Sequence, residues 1–162
     1  MTTRNIAPGL GTLLRRLQEL TDGALERLYV EADLDYVPRY TPVVRALADA
    51  GAHTVRDVAG VSGVSHSAAS QTVSRMLAAG LVSVSVGKDA RERYVQLTQK
   101  TLHMLPQLRL MWAATERAAL LLEQEIGQSL HATLSHAIAA LEAQSFDSRI
   151  VAASPQLIPA AD

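Results

Sequence analysis

The sequence predicts a mainly helical α+β protein, and three observations lead to this prediction. Hydrophobic residues make up 48% of the 162 residues and aromatic residues only 4%, which favours helices packed through aliphatic side chains. Leucines recur at helical spacing in two long segments, one before residue 35 and one after residue 98. Between them, Val82, Val84 and Val86 alternate with serines, which is the pattern of a half-buried strand. A chain of this length fits one domain, or a small domain with a dimerisation arm.

The composition excludes several classes of protein. The chain has no cysteine, so it has no disulfide framework, thiol nucleophile or thiol-based redox sensor. No apolar run approaches the ~20 residues that a membrane-spanning helix needs. Arg15 and Arg16 interrupt the first apolar segment, which therefore does not resemble a signal peptide. We expect a cytoplasmic protein that does not bind membranes.

Charge is distributed unevenly along the chain. The formal net charge of −1 argues against a general polyanion-binding protein. Residues 45–100, however, carry seven basic and four acidic side chains, whereas residues 1–44 carry five and six, and residues 101–162 carry three and six. Local potential influences association more than total charge does. The modest positive bias of the middle third is compatible with a polyanionic partner there.

Two helices are predicted ahead of this positive region. The first covers residues 7–34 and carries a stripe of leucines and alanines on one face. The second covers residues 42–49, with Thr41 as N-cap and Pro42 as first helical residue, and it closes at Gly51.

A helix-turn-helix is predicted next. Thr54 is expected to cap a short third helix, and Gly63 supplies the turn that follows. Ser65 is expected to cap a fourth helix over residues 66–79, ended by Gly80. The buried stripe of this fourth helix is predicted to contain Ala69, Val73, Met76 and Leu77. Its opposite face carries small hydrogen-bonding side chains, namely Ser67, Ser70, Gln71 and Ser74.

A hairpin and two further helices are expected after the fourth helix. Residues 87–90 turn the chain back towards Val95 and Leu97, so the hairpin follows the helix-turn-helix as a wing. Thr98 then caps a long fifth helix, in which Pro106 predicts a kink or a late start. A sixth helix follows Gly127.

A winged helix-turn-helix suits the binding of double-stranded DNA. One helix enters the major groove, and the neighbouring hairpin reaches phosphates or the adjacent minor groove. The candidate DNA-binding residues are Ser65, His66, Ser67, Ser70, Gln71, Arg75, Lys88, Asp89, Arg91 and Arg93. The alternatives are a merely polar helix face and a solvated hairpin tip, and for Lys88 and Arg93 the two explanations are evenly balanced.

The sequence resembles the MarR family of bacterial transcription regulators. The resemblance lies in Asp89-Ala90-Arg91 followed by Val95-Gln96-Leu97-Thr98, the pattern D-x-R-x-x-x-V-x-L-T, preceded by "SRMLAAGLV". It covers roughly residues 40–101. It implies that Arg91 enters the minor groove and that Asp89 orients its guanidinium. The sequence departs from the family pattern at Thr101, where Gly is common, and at Ser83 and Ser85, where Arg is frequent.

Four segments are therefore expected. They are an N-terminal dimerisation helix (residues 1–40), a winged helix-turn-helix lobe (41–98), C-terminal dimerisation helices (99–147) and a flexible tail (148–162). The long leucine stripes are expected to be buried against a second copy of the chain. The function predicted is that of a homodimeric regulator that binds a pseudo-palindromic operator, a repressor released by a small-molecule effector.

Two other functions are less well supported by the residues. A winged helix that serves only as a protein-interaction module would need an apolar recognition face. An enzyme would need a phosphate loop, a metal site or a nucleophile with a base, and the sequence predicts none of these and no cofactor. His131 and His136 are five residues apart, which is the wrong spacing for a metal site on one helical face. Trp112 is expected to be a core or interface anchor, with a place in a ligand cavity as the alternative.

Overall fold

Helices dominate the computed structural model, which describes residues 7–51, 53–86 and 93–154. The described elements, in chain order, are α1 (Leu10–Glu31), a 3-10 helix (Pro38–Tyr40), α2 (Thr41–Ala50), β1 (His53–Thr54), α3 (Val55–Ser62), α4 (His66–Ala78), β2 (Val82–Val86), β3 (Arg93–Leu97), α5 (Gln99–Ile126), α6 (Leu130–Ala143) and α7 (Phe146–Ala153). A helical protein with one small sheet confirms the predicted fold class.

The sheet has three antiparallel strands in the order β1-β3-β2. In the hairpin, Val82 pairs with Leu97 and Val84 pairs with Val95. The two-residue strand β1 joins the other edge of β3, where Thr54 pairs with Tyr94. The sequence analysis did not predict β1, because two residues are too few to show an alternating pattern. Through β1 the wing is attached to Thr54, the residue that caps α3.

The chain divides into two compact units, Met1–Gln107 and Leu108–Asp162, which we call the N-terminal and the C-terminal unit. The core of the N-terminal unit consists of side chains from α2, α3, α4 and the sheet. Its most completely buried members are aliphatic, and they are Val43, Val44, Leu47, Val58, Ala69, Val73, Met76, Leu81, Val82 and Val95. This core holds the helix-turn-helix and the base of the wing together.

An aromatic cluster anchors the end of α1. The rings of Tyr29 and Tyr36 meet edge to face with their centroids 5.0 Å apart, and Tyr40 meets Tyr36 in the same way at 5.9 Å. The hydroxyls of Tyr36 and Thr41 hydrogen bond at 3.2 Å, and burial raises the pKa of the Tyr36 phenol. Tyr29 is the one buried residue in α1, so the leucines of this helix remain largely on its surface.

The C-terminal unit is helical. It contains α6, α7 and the part of α5 that follows Gln107. Leu108 and Trp112 are buried, whereas Leu134, Ile138 and Leu141 of α6 are exposed. The predicted sixth helix after Gly127 is present, and Gly127 has a φ of 69°, the left-handed conformation that ends α5.

Several details correct the sequence-based predictions for the first five helices. Helix α1 is shorter than residues 7–34, and Tyr40 rather than Thr41 is the N-cap of α2 because the preceding 3-10 helix runs directly into it. Pro106 does not delay α5, which begins at Gln99 and continues through the proline. Leu105 and Leu108, which flank the proline, are buried.

The predicted tail also needs correction. Residues 146–153 form α7, and residues 155–162 lie outside the described part. Arg149 stabilises this helix because its guanidinium donates hydrogen bonds to the carbonyl of Ala140, at 2.8 Å, and to that of Gln144, at 3.2 Å. These carbonyls lie at the end of α6, where a cation is favoured.

The burial of α4 generates a prediction about stability. Met76 is completely buried, whereas its neighbour Leu77, predicted to belong to the buried stripe, is 41% exposed. We expect Met76→Ala to lower the free energy of unfolding by about 2–5 kcal/mol, because it leaves a cavity in the core. Leu77→Ala is the matched control, with an expected change within about 0.5 kcal/mol. Urea denaturation at one fixed protein concentration measures both, and equal losses would contradict the assigned burial.

Candidate nucleic-acid interface

The first helix of the helix-turn-helix, α3, begins with a reciprocal cap. The backbone N–H of Asp57 donates to the Thr54 hydroxyl at 3.2 Å, and the Asp57 carboxylate accepts from the Thr54 backbone N–H at 3.1 Å. The Thr54 hydroxyl also donates to this carboxylate at 2.7 Å. These hydrogen bonds lower the pKa of Asp57, and His53, with its Nδ1 3.8 Å away, contributes in the same direction. The predicted cap at Thr54 is confirmed.

The turn between α3 and α4 is held by backbone and hydroxyl groups. Gly63 has a φ of 65°, and the N–H of Val64 donates to the Ala59 carbonyl at 3.3 Å. The Ser62 hydroxyl donates to the Pro42 carbonyl at 3.1 Å, which ties the end of α3 to the start of α2. The Ser65 hydroxyl accepts the Ala68 N–H at 3.2 Å as the N-cap of α4. The turn and the caps therefore fix the direction in which α4 leaves α3.

Helix α4 has two chemically different faces. Ala69, Val73 and Met76 are buried in the core. The other face carries polar side chains, of which Ser70 is half-buried and the following are exposed: His66, Ser67, Gln71, Ser74 and Arg75. The Ser74 hydroxyl donates to the carbonyl of Ser70 at 2.9 Å, so it is engaged by its own helix. The remaining polar groups lie on the surface of a helix whose inner face is fixed.

The end of α4 is sharply defined. Gly80 has a φ of 67°, its N–H donates to the Leu77 carbonyl at 3.1 Å, and the N–H of Leu81 donates to the Met76 carbonyl at 2.9 Å. This paired arrangement is a Schellman motif, and it requires a residue that tolerates the left-handed conformation. Leu81 is fully buried immediately afterwards, and Val82 begins the wing.

The wing projects away from the core, and its strands become more exposed towards the tip. Exposure rises along β2 from 3% at Val82 through 39% at Val84 to 68% at Val86. The expected half-buried strand is therefore buried only at its base, because Val82 lies beside the core and Val86 lies far from it. Arg93, the first residue of β3, pairs with Val86 and is exposed. The exposed end of the hairpin thus carries a positive charge.

The structure places the predicted site residues in three groups. The largest group lies on α4 and its cap, and it consists of Ser65, His66, Ser67, Ser70, Gln71 and Arg75. Arg93 lies on the wing. Lys88, Asp89 and Arg91 lie outside the described residues. The part of the chain that is described contains no group of three His, Cys, Asp or Glu residues able to hold a metal ion.

A set of contacts at the start of α5 was not predicted from the sequence. Lys100 forms an ion pair of 2.6 Å with Asp35, and Thr98 and Thr101 hydrogen bond to the backbone that follows α4. One of these positions, Thr101, did stand out in the sequence, because it departs from the glycine common in the family. Asp35 and Lys100 are 65 residues apart in sequence, and no local pattern connects them.

A helix-turn-helix followed directly by a β-hairpin defines this protein as a winged helix-turn-helix protein. Residues 34–92 match a family model described as the MarR family, which confirms the resemblance seen in the sequence. This match covers the helix-turn-helix and the first strand of the wing. No curated protein shows significant similarity to the chain.

Solved structures of transcriptional regulators share the fold. The PcaV transcriptional regulator from Streptomyces coelicolor is 23% identical, with a TM-score of 0.60 over 83% of this chain and 100% of that one. The MarR family transcriptional regulator SPO1453 from Silicibacter pomeroyi DSS-3 is 26% identical, with a TM-score of 0.57 over 82% and 94%. BpsR from Bordetella bronchiseptica is 21% identical, with a TM-score of 0.50 over 74% and 98%. BpsR is described as a protein whose DNA binding is regulated by 6-hydroxynicotinic acid.

Across the described ranges, no helix combines the length and the apolar character needed to cross a bilayer.

The cap of α3 generates a prediction about pH. Because hydrogen bonds to Thr54 hold the pKa of Asp57 below its usual 3.8, the ionised carboxylate stabilises the fold above that pH. The contribution is lost as the pH falls through the lowered value. We expect Asp57→Asn to destabilise the protein near neutral pH and to differ less and less from the parent below about pH 4.

Urea denaturation as a function of pH measures this difference. Asp22→Asn removes the same charge from α1, where the carboxylate accepts from the Gln18 amide rather than from a helix cap. A gap between parent and Asp57→Asn that stayed constant from neutral to acidic pH would show that the cap does not depend on the charge.

Proposed function

We propose that the protein is a homodimeric, sequence-specific transcription regulator that binds double-stranded DNA, a repressor released by a small-molecule effector. The observation that carries this proposal is the exposed polar face of α4, which lies opposite a buried face in a winged helix-turn-helix of the MarR family. The similarity to transcriptional regulators of known structure supports it.

The side chains on α4 suit the edges of base pairs in the major groove. Gln71 can accept and donate at once, as recognition of adenine requires, and serine and histidine can contact bases or phosphates. The N-terminal residues of a recognition helix are the ones that reach base edges. His66, Ser67 and Gln71 occupy the first two turns of α4, and their side chains are exposed. Arg75 follows further along the helix, where we assign it to a phosphate.

The wing supplies the second contact. Arg93 is exposed at the start of β3, and the sequence adds Lys88 and Arg91 in the segment that connects the two strands. An arginine held at a narrow minor groove gains from the enhanced negative potential there. We assign Arg91 to this groove, with Asp89 orienting its guanidinium, as the resemblance to the family implies.

The exposed leucine faces support a dimer. Leu10, Leu13, Leu14, Leu20 and Leu28 are exposed on α1, and Leu134, Ile138 and Leu141 are exposed on α6. A helix face with so many exposed large apolar side chains is typical of an interaction site. A second copy of the chain offers the same faces, and most soluble oligomers are symmetric homo-oligomers. The two recognition helices of a dimer would then read half-sites about 34–36 Å apart.

A small-molecule effector would act through thermodynamic linkage between its own binding and the binding of DNA. A small molecule that binds better to the conformation with low DNA affinity shifts the population towards it by its differential binding energy. BpsR, a protein of the same fold, has DNA binding that is regulated by an aromatic acid, 6-hydroxynicotinic acid. Competition experiments with aromatic acids of this kind test for an effector of this chain. Use of the winged helix as a protein-interaction module alone is the alternative, and the polar face of α4 argues against it.

DNA binding generates the first prediction of this proposal. Arg91→Ala is expected to weaken operator binding by about 1–3 kcal/mol without changing the dimer or its helical content. If each dimer neutralises about eight phosphates, the slope of log K against log salt is roughly −7. Fluorescence anisotropy with duplexes selected from a random pool measures both quantities.

Arg16→Ala is the matched control for Arg91→Ala. It removes an equal charge from α1, where the side chain pairs with Glu19. We expect the control to bind like the parent, while Gln71→Ala relaxes the preference for one base pair. An affinity that does not respond to salt would exclude the proposed mechanism.

Dimerisation generates the second prediction. Ile138 is 57% exposed in the isolated chain, and a charge at this position would be buried in the proposed interface. We expect Ile138→Asp to shift the protein from dimer to monomer in analytical ultracentrifugation and to reduce binding to a duplex with two half-sites. His136→Asp, two residues earlier on the same helix, is the control and should remain dimeric. A parent protein that sediments as a monomer would rule out the dimer.

A further inference from the structure

The first turn of α5 contacts the end of the recognition helix α4 through three side chains. We propose that Thr98, Lys100 and Thr101 form a clamp that fixes the orientation of α4 and thereby sets the spacing of the two DNA half-sites. This inference rests on the proposed DNA-binding function. It assigns positioning roles to residues that do not themselves contact DNA.

The clamp reaches three consecutive backbone carbonyls. Lys100 Nζ donates to the Ala79 carbonyl at 3.3 Å. Thr98 Oγ1 donates to the Gly80 carbonyl at 2.8 Å and lies 3.2 Å from the Leu81 carbonyl. Thr101 Oγ1 donates to the Leu81 carbonyl at 2.5 Å, which the backbone N–H of Thr98 also reaches at 3.1 Å. The three carbonyls that directly follow α4 are therefore held by Thr98 and the first turn of α5.

Burial makes the Thr101 contact the strongest part of the clamp. Thr101 is completely buried, whereas the other polar and charged side chains in the described ranges are at least partly exposed. Leu81, which carries the accepting carbonyl, is equally buried. A hydrogen bond in a low-dielectric interior is stronger than one in water, and leaving its groups unpaired is costly. Rotation about χ1 is restricted in threonine, so the Thr101 hydroxyl also restricts the position of the Leu81 carbonyl.

The ion pair of Lys100 extends the clamp to the end of α1. Lys100 Nζ lies 2.6 Å from the Asp35 carboxylate, and the two side chains are 45% and 76% exposed. An exposed pair of this kind contributes little stability by itself. It holds the ammonium beside the Ala79 carbonyl, at a helix C-terminus, where a cation is favoured. The exit of α1, the end of α4 and the start of α5 therefore meet at Lys100.

The local backbone explains why a clamp is needed. Gly80 has a φ of 67°, and a Cβ atom built at this residue meets nothing within 4 Å. Glycine can adopt conformations that other residues cannot, and the backbone hydrogen bonds from Gly80 and Leu81 to α4 hold it in this one. Besides these bonds and its packed face, the end of α4 is joined to α5 by the bond from Lys100 to the Ala79 carbonyl. In the proposed dimer, a rotation of α4 at Gly80 would change the distance between the two recognition helices.

Hydrogen exchange without DNA tests the clamp directly. Thr101→Val removes the hydroxyl and keeps the shape of the side chain. We expect exchange at the Leu81 and Thr98 amides to become roughly tenfold faster, because the loss of a buried hydrogen bond is costly. Thr101→Ser keeps a hydroxyl and should restore slow exchange. Thr115→Val is the matched control, because the Thr115 hydroxyl bonds at 2.8 Å to Met111 within the same helix.

Half-site spacing separates positioning from stability. Affinity is measured for a series of duplexes whose half-sites are moved apart or together by single base pairs. The parent should prefer one spacing, and Thr101→Val and Lys100→Met should reduce that preference several-fold. A residue that only stabilises the fold would lower affinity equally at every spacing, and this result would overturn the proposal. Unchanged exchange in Thr101→Val would overturn it as well. If the parent binds no duplex while exchange responds as expected, the DNA-binding function fails and the clamp stands.

Discussion

The packing of the inner face of α4 is the constraint on which the rest of the structure depends. Ala69, Val73 and Met76 are buried with residues of α3 and the sheet, so the helix cannot turn about its own axis without exposing them. The polar side chains on the other face therefore point outward in a fixed direction, and the packing of the inner face is kept. A surface of serine, glutamine and histidine gains specificity only when its direction is fixed. The core thus supplies the rigidity that recognition requires.

The helix-turn-helix was predictable from the sequence because its signals are local. Thr54 and Ser65 lie beside the backbone groups that they cap, and Gly63 and Gly80 have the left-handed φ values that their positions require. The candidate residues on α4 followed from the same periodicity. Leu77 fitted the apolar period but lies at the edge of the buried face, where periodicity alone does not distinguish core from surface.

Other features escaped prediction because they depend on distant partners. Strand β1 has two residues and exists only because β3, forty residues later, offers a free edge. The Thr101 and Lys100 contacts likewise join segments about twenty residues apart and more. The Arg149 side chain of α7 bonds to the carbonyls of Ala140 and Gln144 at the end of α6, and the sequence pattern gave no sign of these bonds. Sequence patterns thus describe each helix and its surface, whereas the joints between elements require the three-dimensional structure.

Thr54 belongs to two elements at once, and this double membership has a mechanical consequence. Its backbone pairs with Tyr94 in the wing sheet, while its hydroxyl and N–H cap α3. A wing that bends towards a groove must therefore pull on the first turn of α3 or break its pairing with β1. Strain in the hairpin therefore reaches the cap of α3 through Thr54 as well as the shared core. In the proposed complex with DNA, the binding free energies of the wing and of the helix-turn-helix would consequently be coupled.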